Sequence, residues 1–211
     1  MAERLRVSRP CEHSTLPMVP FGRRVVRAGG GRIASATLRY TVRGWNGQRQ
    51  SPLPDARWAL DQTVERFGQL PIGLVGHPMG GRVALRVAEY GGVHGGAVRS
   101  VAALAPWLPD GQPTPLLGER ALLLAHGTAD RITDAGKTAE LAQRLTADGC
   151  DVQLVTYPGA RHAMLFPVRP WHDLVASFMV RTLLEPAPEG PPVLRGNEAR
   201  PDTGRRICRP R

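Results

Sequence analysis

No run of about 18 apolar residues occurs in the 211-residue chain, so no membrane-spanning helix is expected. The arginines near the start are not followed by an apolar stretch, and no secretion signal is expected there. Cysteine is scarce: Cys11, Cys150 and Cys208 are widely spaced, odd in number and form no CxxC pair. That pattern argues against a disulfide framework and favours reduced thiols in a cytoplasmic protein. Aromatic residues make up only 5%. Lysine is nearly absent, since 27 of the 28 basic residues are arginine and Lys137 stands alone. With abundant alanine, glycine and proline, this skew reads as a high-GC coding bias.

The net charge of +10 is poorly placed for a nucleic-acid face. Residues 1–32 hold seven arginines against Glu3 and Glu12, and residues 185–211 hold six against four acids. The two ends thus carry +7 of the +10, and no aromatic interleaving accompanies them. Such ends attract phosphates without specificity; no specific nucleic-acid partner is expected, and no membrane partner.

A chain of this length holds one domain with one good core. The segment 1–18 is polar, basic and broken by Pro10 and Pro17, and is expected to be poorly ordered. Proline and glycine crowd 186–196 and the apolar period vanishes, so 185–211 reads as a disordered tail. Between them, 19–184 alternates helical and strand signals. Helices are expected over about 19–28, 55–68, 80–90, 134–147 and 169–184, the fourth capped by Thr133 and Asp134. Strands are expected over about 33–42, 72–75, 98–105, 121–125 and 152–157. This alternation predicts an α/β fold, a mostly parallel sheet with helices on both faces.

The most informative segment runs Ile72-Gly-Leu-Val-Gly-His-Pro-Met-Gly-Gly81. A short apolar strand meets a sharp turn and a helix, with Gly76 and Gly80 flanking the centre and His77 and Met79 beside it. It is a G-x-S-x-G elbow with Pro78 where a serine nucleophile belongs. Proline removes the hydroxyl and, by holding φ near −65°, forbids the positive φ that presents a nucleophile above a sheet. Further on, an apolar strand ends in a loop with Asp130, and the next strand is followed by Pro158-Gly-Ala-Arg-His162. Nucleophile position, acid, base is the chain order of one hydrolase fold. Loops following successive parallel strands meet at the carboxyl edge of the sheet. There Asp130 is expected to orient the His162 imidazole.

On these residues the chain resembles the α/β-hydrolase superfamily, in particular small bacterial serine hydrolases with a GHSMGG elbow. The stretch Leu38–Gly47 is similar to that family's strand and R-G-x-x-G loop, and Ala105-Pro106-Trp107 follows the strand after the elbow helix. The resemblance covers about residues 18–184. It implies a three-layer αβα sandwich, acyl-enzyme hydrolysis of small esters or amides by a Ser-Asp-His triad, the Met79 amide as oxyanion donor, and neither metal nor organic cofactor. Two departures stand out: Pro78 itself, and a front of the chain without an apolar strand ending in a glycine-containing oxyanion loop. Gly29-Gly30-Gly31 precedes a strand signal and reads as a helix end. Early strands of the family are therefore expected to be missing. Trp45, Met79, Trp107 and Met164 either line a small apolar pocket or pack as ordinary core. The expectation is a hydrolase-family protein with lost or strongly impaired activity, or alternatively a non-catalytic pseudo-hydrolase binding a small acyl-type ligand.

Overall fold

The computed structural model describes residues 18–90, 97–163 and 168–185. In chain order the elements are α1 (Val19–Ala28), α2 (Pro52–Phe67), β1 (Ile72–Gly76), α3 (Met79–Ala88), β2 (Val98–Leu104), β3 (Ala121–Gly127), α4 (Ala135–Ala147), β4 (Val152–Tyr157) and α5 (Val168–Leu184). The four strands pair in the order β1-β2-β3-β4, all parallel. A one-residue alternation sends neighbouring side chains of the inner strands to opposite faces. Val101, Ala103, Leu122 and Leu124 pack with α2, α3 and α4. Ala102, Leu104, Leu123 and Ala125 pack with α1 and α5, around Trp171 and Val175. The result is the expected αβα sandwich, with the inner strands buried on both faces.

Local signals explain two of the helix starts. Asp134 caps α4 by accepting from the amides of Gly136 (2.7 Å) and Lys137 (3.3 Å), as a residue of this type does at an N-cap. Helix α2 begins at Pro52 rather than Asp55, using the tolerance of the first helical turn for proline.

One expected strand is absent. Residues 33–42 form no regular secondary structure, although Ile33, Leu38, Tyr40 and Val42 look like strand residues. Leu38 and Tyr40 instead pack on the core beside α2 and α3. The Asp55 carboxylate, at the start of α2, accepts from both the Thr41 amide (2.8 Å) and the Thr41 hydroxyl (3.0 Å). A side-chain carboxylate can satisfy backbone donors that a ladder would otherwise serve. The expectations for 1–17 and 186–211 fall outside the described residues.

Candidate active site

The site lies at the carboxyl edge of the sheet, where β1, β2, β3 and β4 each feed a loop. Pro78 stands between β1 and α3 with φ −74° and ψ −41°, right-handed helical backbone, and serves as the N-cap of α3. It has neither a hydroxyl nor the positive φ of a nucleophile elbow. The Pro78 carbonyl accepts from the amides of Arg82 (3.3 Å) and Trp107 (3.0 Å), tying the elbow to the loop after β2. That loop turns through Ala105, a non-glycine residue at φ +40°. Met79 is the first residue of α3, and its amide is among those with no acceptor within the helix.

The two flanking glycines are not equivalent. A Cβ on Gly76 would collide with the carbonyl group of Gly80, whereas one on Gly80 would meet only the Tyr40 hydroxyl, at 3.9 Å. Gly76 therefore sets the strand-to-helix closure, and Gly80 contributes its backbone.

Asp130 and His162 meet as expected: His162 Nδ1 lies 2.8 Å from Asp130 Oδ2. The Asp130 side chain is wholly buried and that of His162 is 18% exposed. Asp130 Oδ1 accepts from the amides of Ile132 (2.8 Å) and Thr133 (3.1 Å), and Oδ2 also accepts from the Thr133 hydroxyl (2.7 Å). Burial opposes ionisation of this carboxyl, yet the donors from Ile132, Thr133 and His162 outweigh it and hold its pKa below the usual carboxylate range.

Sequence reasoning missed a second histidine behind this pair. His126, on β3, is completely buried. Its Nδ1 lies 2.7 Å from the Thr138 hydroxyl, and its Nε2 lies 3.3 Å from both Thr133 Oγ1 and Asp130 Oδ2. The network is consistent if Thr138 donates to Nδ1 and His126 presents Nε2–H toward Thr133 and Asp130. Burial lowers the His126 pKa, partly offset by Asp130, which agrees with a neutral ring. The available signal was the four-residue spacing of His126 and Asp130 around the end of β3.

His77 closes the site from the elbow side. Its Nε2–H donates to the His162 carbonyl at 2.9 Å, and the two rings lie 4.9 Å apart. Burial, followed by the neighbouring His162, pushes its pKa from 6.5 down to about 4. Between those values the unfolded chain binds a proton that the folded chain refuses, so stability falls as pH drops from 6.5 toward 4. At 1.36 kcal/mol per unit, and discounting for partial exposure, His77 accounts for up to about 2 kcal/mol of that loss. Replacing His77 by Gln, which keeps a donor for the His162 carbonyl, is expected to flatten this acid limb. Urea melts at pH 4.5 and 7 check it; an unchanged pH dependence would exclude His77 as its source.

Trp45 and Trp107 come together edge to face, with ring centres 6.5 Å apart. The Arg82 guanidinium, one turn into α3, lies 3.6 Å from the Trp45 ring centre and 4.8 Å from that of Trp107. Helical side chains lean toward the N-terminus of their helix, which brings this long side chain against the two indoles. Trp45 is buried, Trp107 is 40% exposed, and Met79 packs against the core. Met164 lies outside the described residues. Two clefts occur elsewhere: a groove of about 650 Å³ between α1 and residues 31–37, and one of about 160 Å³ between residues 108–113 and α4. Neither is lined by Pro78, Asp130 or His162.

Among the described residues, no serine or cysteine side chain hydrogen-bonds to His162, whose side-chain partners are Asp130 and Thr133. Ser100 is fully buried and accepts from Thr182 at 2.9 Å, Ser51 accepts from Asn46, and Cys150 is buried just after α4. Among the described residues, no group of three or more His, Cys, Asp or Glu side chains is arranged to hold a metal ion, and no helix is long and apolar enough to cross a membrane.

A parallel sheet between two helical layers, an elbow after β1, an acid after β3 and a histidine after β4 define an α/β hydrolase. Solved structures share this fold. An esterase from Pyrobaculum calidifontis superposes with a TM-score of 0.61 at 15% identity, over 76% of this chain and 69% of that one. A putative alpha/beta hydrolase of unknown function from Agrobacterium tumefaciens gives 0.60 at 18%, over 79% and 80%. An alpha-beta serine hydrolase homologue from Coxiella burnetii gives 0.58 at 15%, over 77% of each chain. No curated protein sequence matches the chain significantly. The model of the dienelactone hydrolase family matches residues 43–177, more than half of the sequence, and the chain belongs to that family.

Proposed function

We propose that this protein is a ligand-binding member of the dienelactone hydrolase family whose acyl-hydrolase activity is absent or strongly impaired. The observation that carries the reading is Pro78, in helical backbone at the nucleophile position, with no described serine or cysteine in its place. Covalent acyl transfer needs a nucleophile within reach of its base. Losing one triad member lowers turnover by about 10⁴- to 10⁶-fold in serine hydrolases. The retained Asp130–His162 pair (2.8 Å) and the first-turn amide of Met79 supply an acid, a base and an oxyanion donor around an empty role. A protein of the superfamily can use such a site to hold small acyl-type compounds without cleaving them.

The test is hydrolysis of p-nitrophenyl acetate by the purified chain beside His162→Ala. The two are expected to be equally slow. Turnover by the native chain that His162→Ala abolishes would overturn the reading and assign His162 and Asp130 to direct activation of water.

A further inference from the structure

Residues 33–40 are built like a strand and left without a partner. Leu38 and Tyr40 pack inward on the core while Arg39 between them is exposed, which is the period of a strand. Among the described residues, the backbone of 33–40 neither donates nor accepts a hydrogen bond, and residues 34–37 are all exposed. Free N–H and C=O groups along an extended chain are the template on which another strand pairs.

Across from this stretch stands α1. Its Phe21 and Val25 are buried in the core, and its opposite face forms, with residues 31–37, the groove of about 650 Å³. Val19 and Val26 give the groove apolar surface, Arg23 and Arg27 line its helix side, and Ser35 and Thr37 line the other wall. Neither arginine forms an ion pair among the described residues, whereas Arg24 is paired with Asp173 at 2.7 Å. Like charges one helical turn apart repel. No acid lies near in sequence, since residues 18–54 hold seven arginines and neither Asp nor Glu. A carboxylate accepts from a guanidinium through two parallel bonds, so the side chains that complement this groove are acidic. The chain's own ends have the wrong sign: residues 1–17 hold three arginines against two acids, and 185–211 hold six against four.

We propose that the groove between α1 and residues 31–37 docks an extended acidic segment of another protein, which adds as a strand to residues 33–40 and sets its carboxylates against Arg23 and Arg27. Main-chain bonds along the stretch supply affinity, and the arginines select the partner. None of Pro78, Asp130 and His162 lines the groove, so the proposal is independent of the acyl-ligand reading.

The test is a titration of the ¹⁵N-labelled full chain with a synthetic seven-residue peptide of alternating glutamate and valine, capped at both ends. At about 3.3 Å per residue it runs about 23 Å, enough to lie along 33–39. Comparison probes are the same peptide with lysine for glutamate, two forms N-methylated on the valines or on the glutamates, and a DNA duplex of about ten base pairs. The acidic peptide is expected to bind saturably with Kd below about 1 mM, shifting the amides of 33–40 and α1. The lysine peptide is expected to bind at least about tenfold more weakly. A strand pairs through one edge, so one N-methylated form is expected to lose binding by about the same factor and the other to keep it. Arg23→Glu/Arg27→Glu, with both changes exposed, is expected to melt cooperatively and to lose about tenfold or more in affinity. The peptide comparisons stand by themselves if that variant does not fold. Absence of a saturable shift, equal binding of the lysine peptide, full binding of both N-methylated forms, or native-like binding by the folded variant would each overturn the proposal. Tighter binding of the duplex would make this a general polyanion surface and overturn the strand assignment. Protection of the 33–40 amides from hydrogen exchange without peptide would give the groove to a segment of this chain or, where dilution abolishes it, to a second copy, and would overturn the proposal as well.

Discussion

Pro78→Ser is expected to give the protein His162-dependent esterase turnover at least about 10²-fold above the native chain. His162 and Asp130 are already paired, with His162 Nδ1 2.8 Å from a buried carboxylate. That carboxylate is held ionised by amides of its own loop and by Thr133. What the native elbow lacks is a hydroxyl and the freedom to adopt positive φ. Serine restores both, because removing the pyrrolidine ring lifts the restriction on φ. Recovery is expected to stop short of the full 10⁴- to 10⁶-fold span of a triad deletion. The segment must leave the helical geometry seen at Pro78 (φ −74°, ψ −41°), and that change competes with the bonds from Arg82 and Trp107 to its carbonyl. The check is p-nitrophenyl acetate turnover by Pro78→Ser beside the double variant Pro78→Ser/His162→Ala. A folded but silent Pro78→Ser would show that a serine at this position is not sufficient for turnover, and would point to the oxyanion donors.

Gly76→Ala is expected to destabilise the protein by about 3 to 5 kcal/mol, among the larger effects a single methyl group produces. The added Cβ would overlap the carbonyl carbon and oxygen of Gly80. Those are backbone atoms of the first turn of α3 and have no rotamer to move into. Relief requires α3 to shift away from β1, yet α3 buries Val83, Leu85 and Val87 against the core. In a domain of this size such a loss lowers the melting temperature by about 10 °C. Gly80→Ala is the control: its Cβ meets one hydroxyl at 3.9 Å, and it is expected to melt close to the native chain. Thermal unfolding followed by circular dichroism decides between them, and equal melting temperatures for the two variants would refute the closure argument.

The spacing of glycines, apolar runs and chemistry-bearing residues was enough to read the parallel sheet, the elbow and the acid and base loops. These rest on local rules. The strand run Leu122–Ala125 is apolar because β3 is buried on both faces, and Gly76 marks a close backbone approach. Asp130 and His162 follow successive strands, so a parallel arrangement must bring them to one edge. Residues 33–42 have the composition of a strand, but a strand exists only when a neighbour completes its ladder, and Asp55 took the Thr41 donors instead. The His126–Thr138–Thr133 network behind Asp130 was equally illegible, since its members come from β3, α4 and the loop between them and meet only after packing.

By itself, then, the sequence determined most of the order of elements, the loops that carry Asp130 and His162, and the proline at the centre of the elbow, because each is a property of residue type and spacing along the chain. The tertiary structure alone decided that Gly76 rather than Gly80 bears the closure, and that the Arg82 guanidinium packs against Trp45 and Trp107. Both depend on distances between segments far apart in sequence, and such distances are settled by packing.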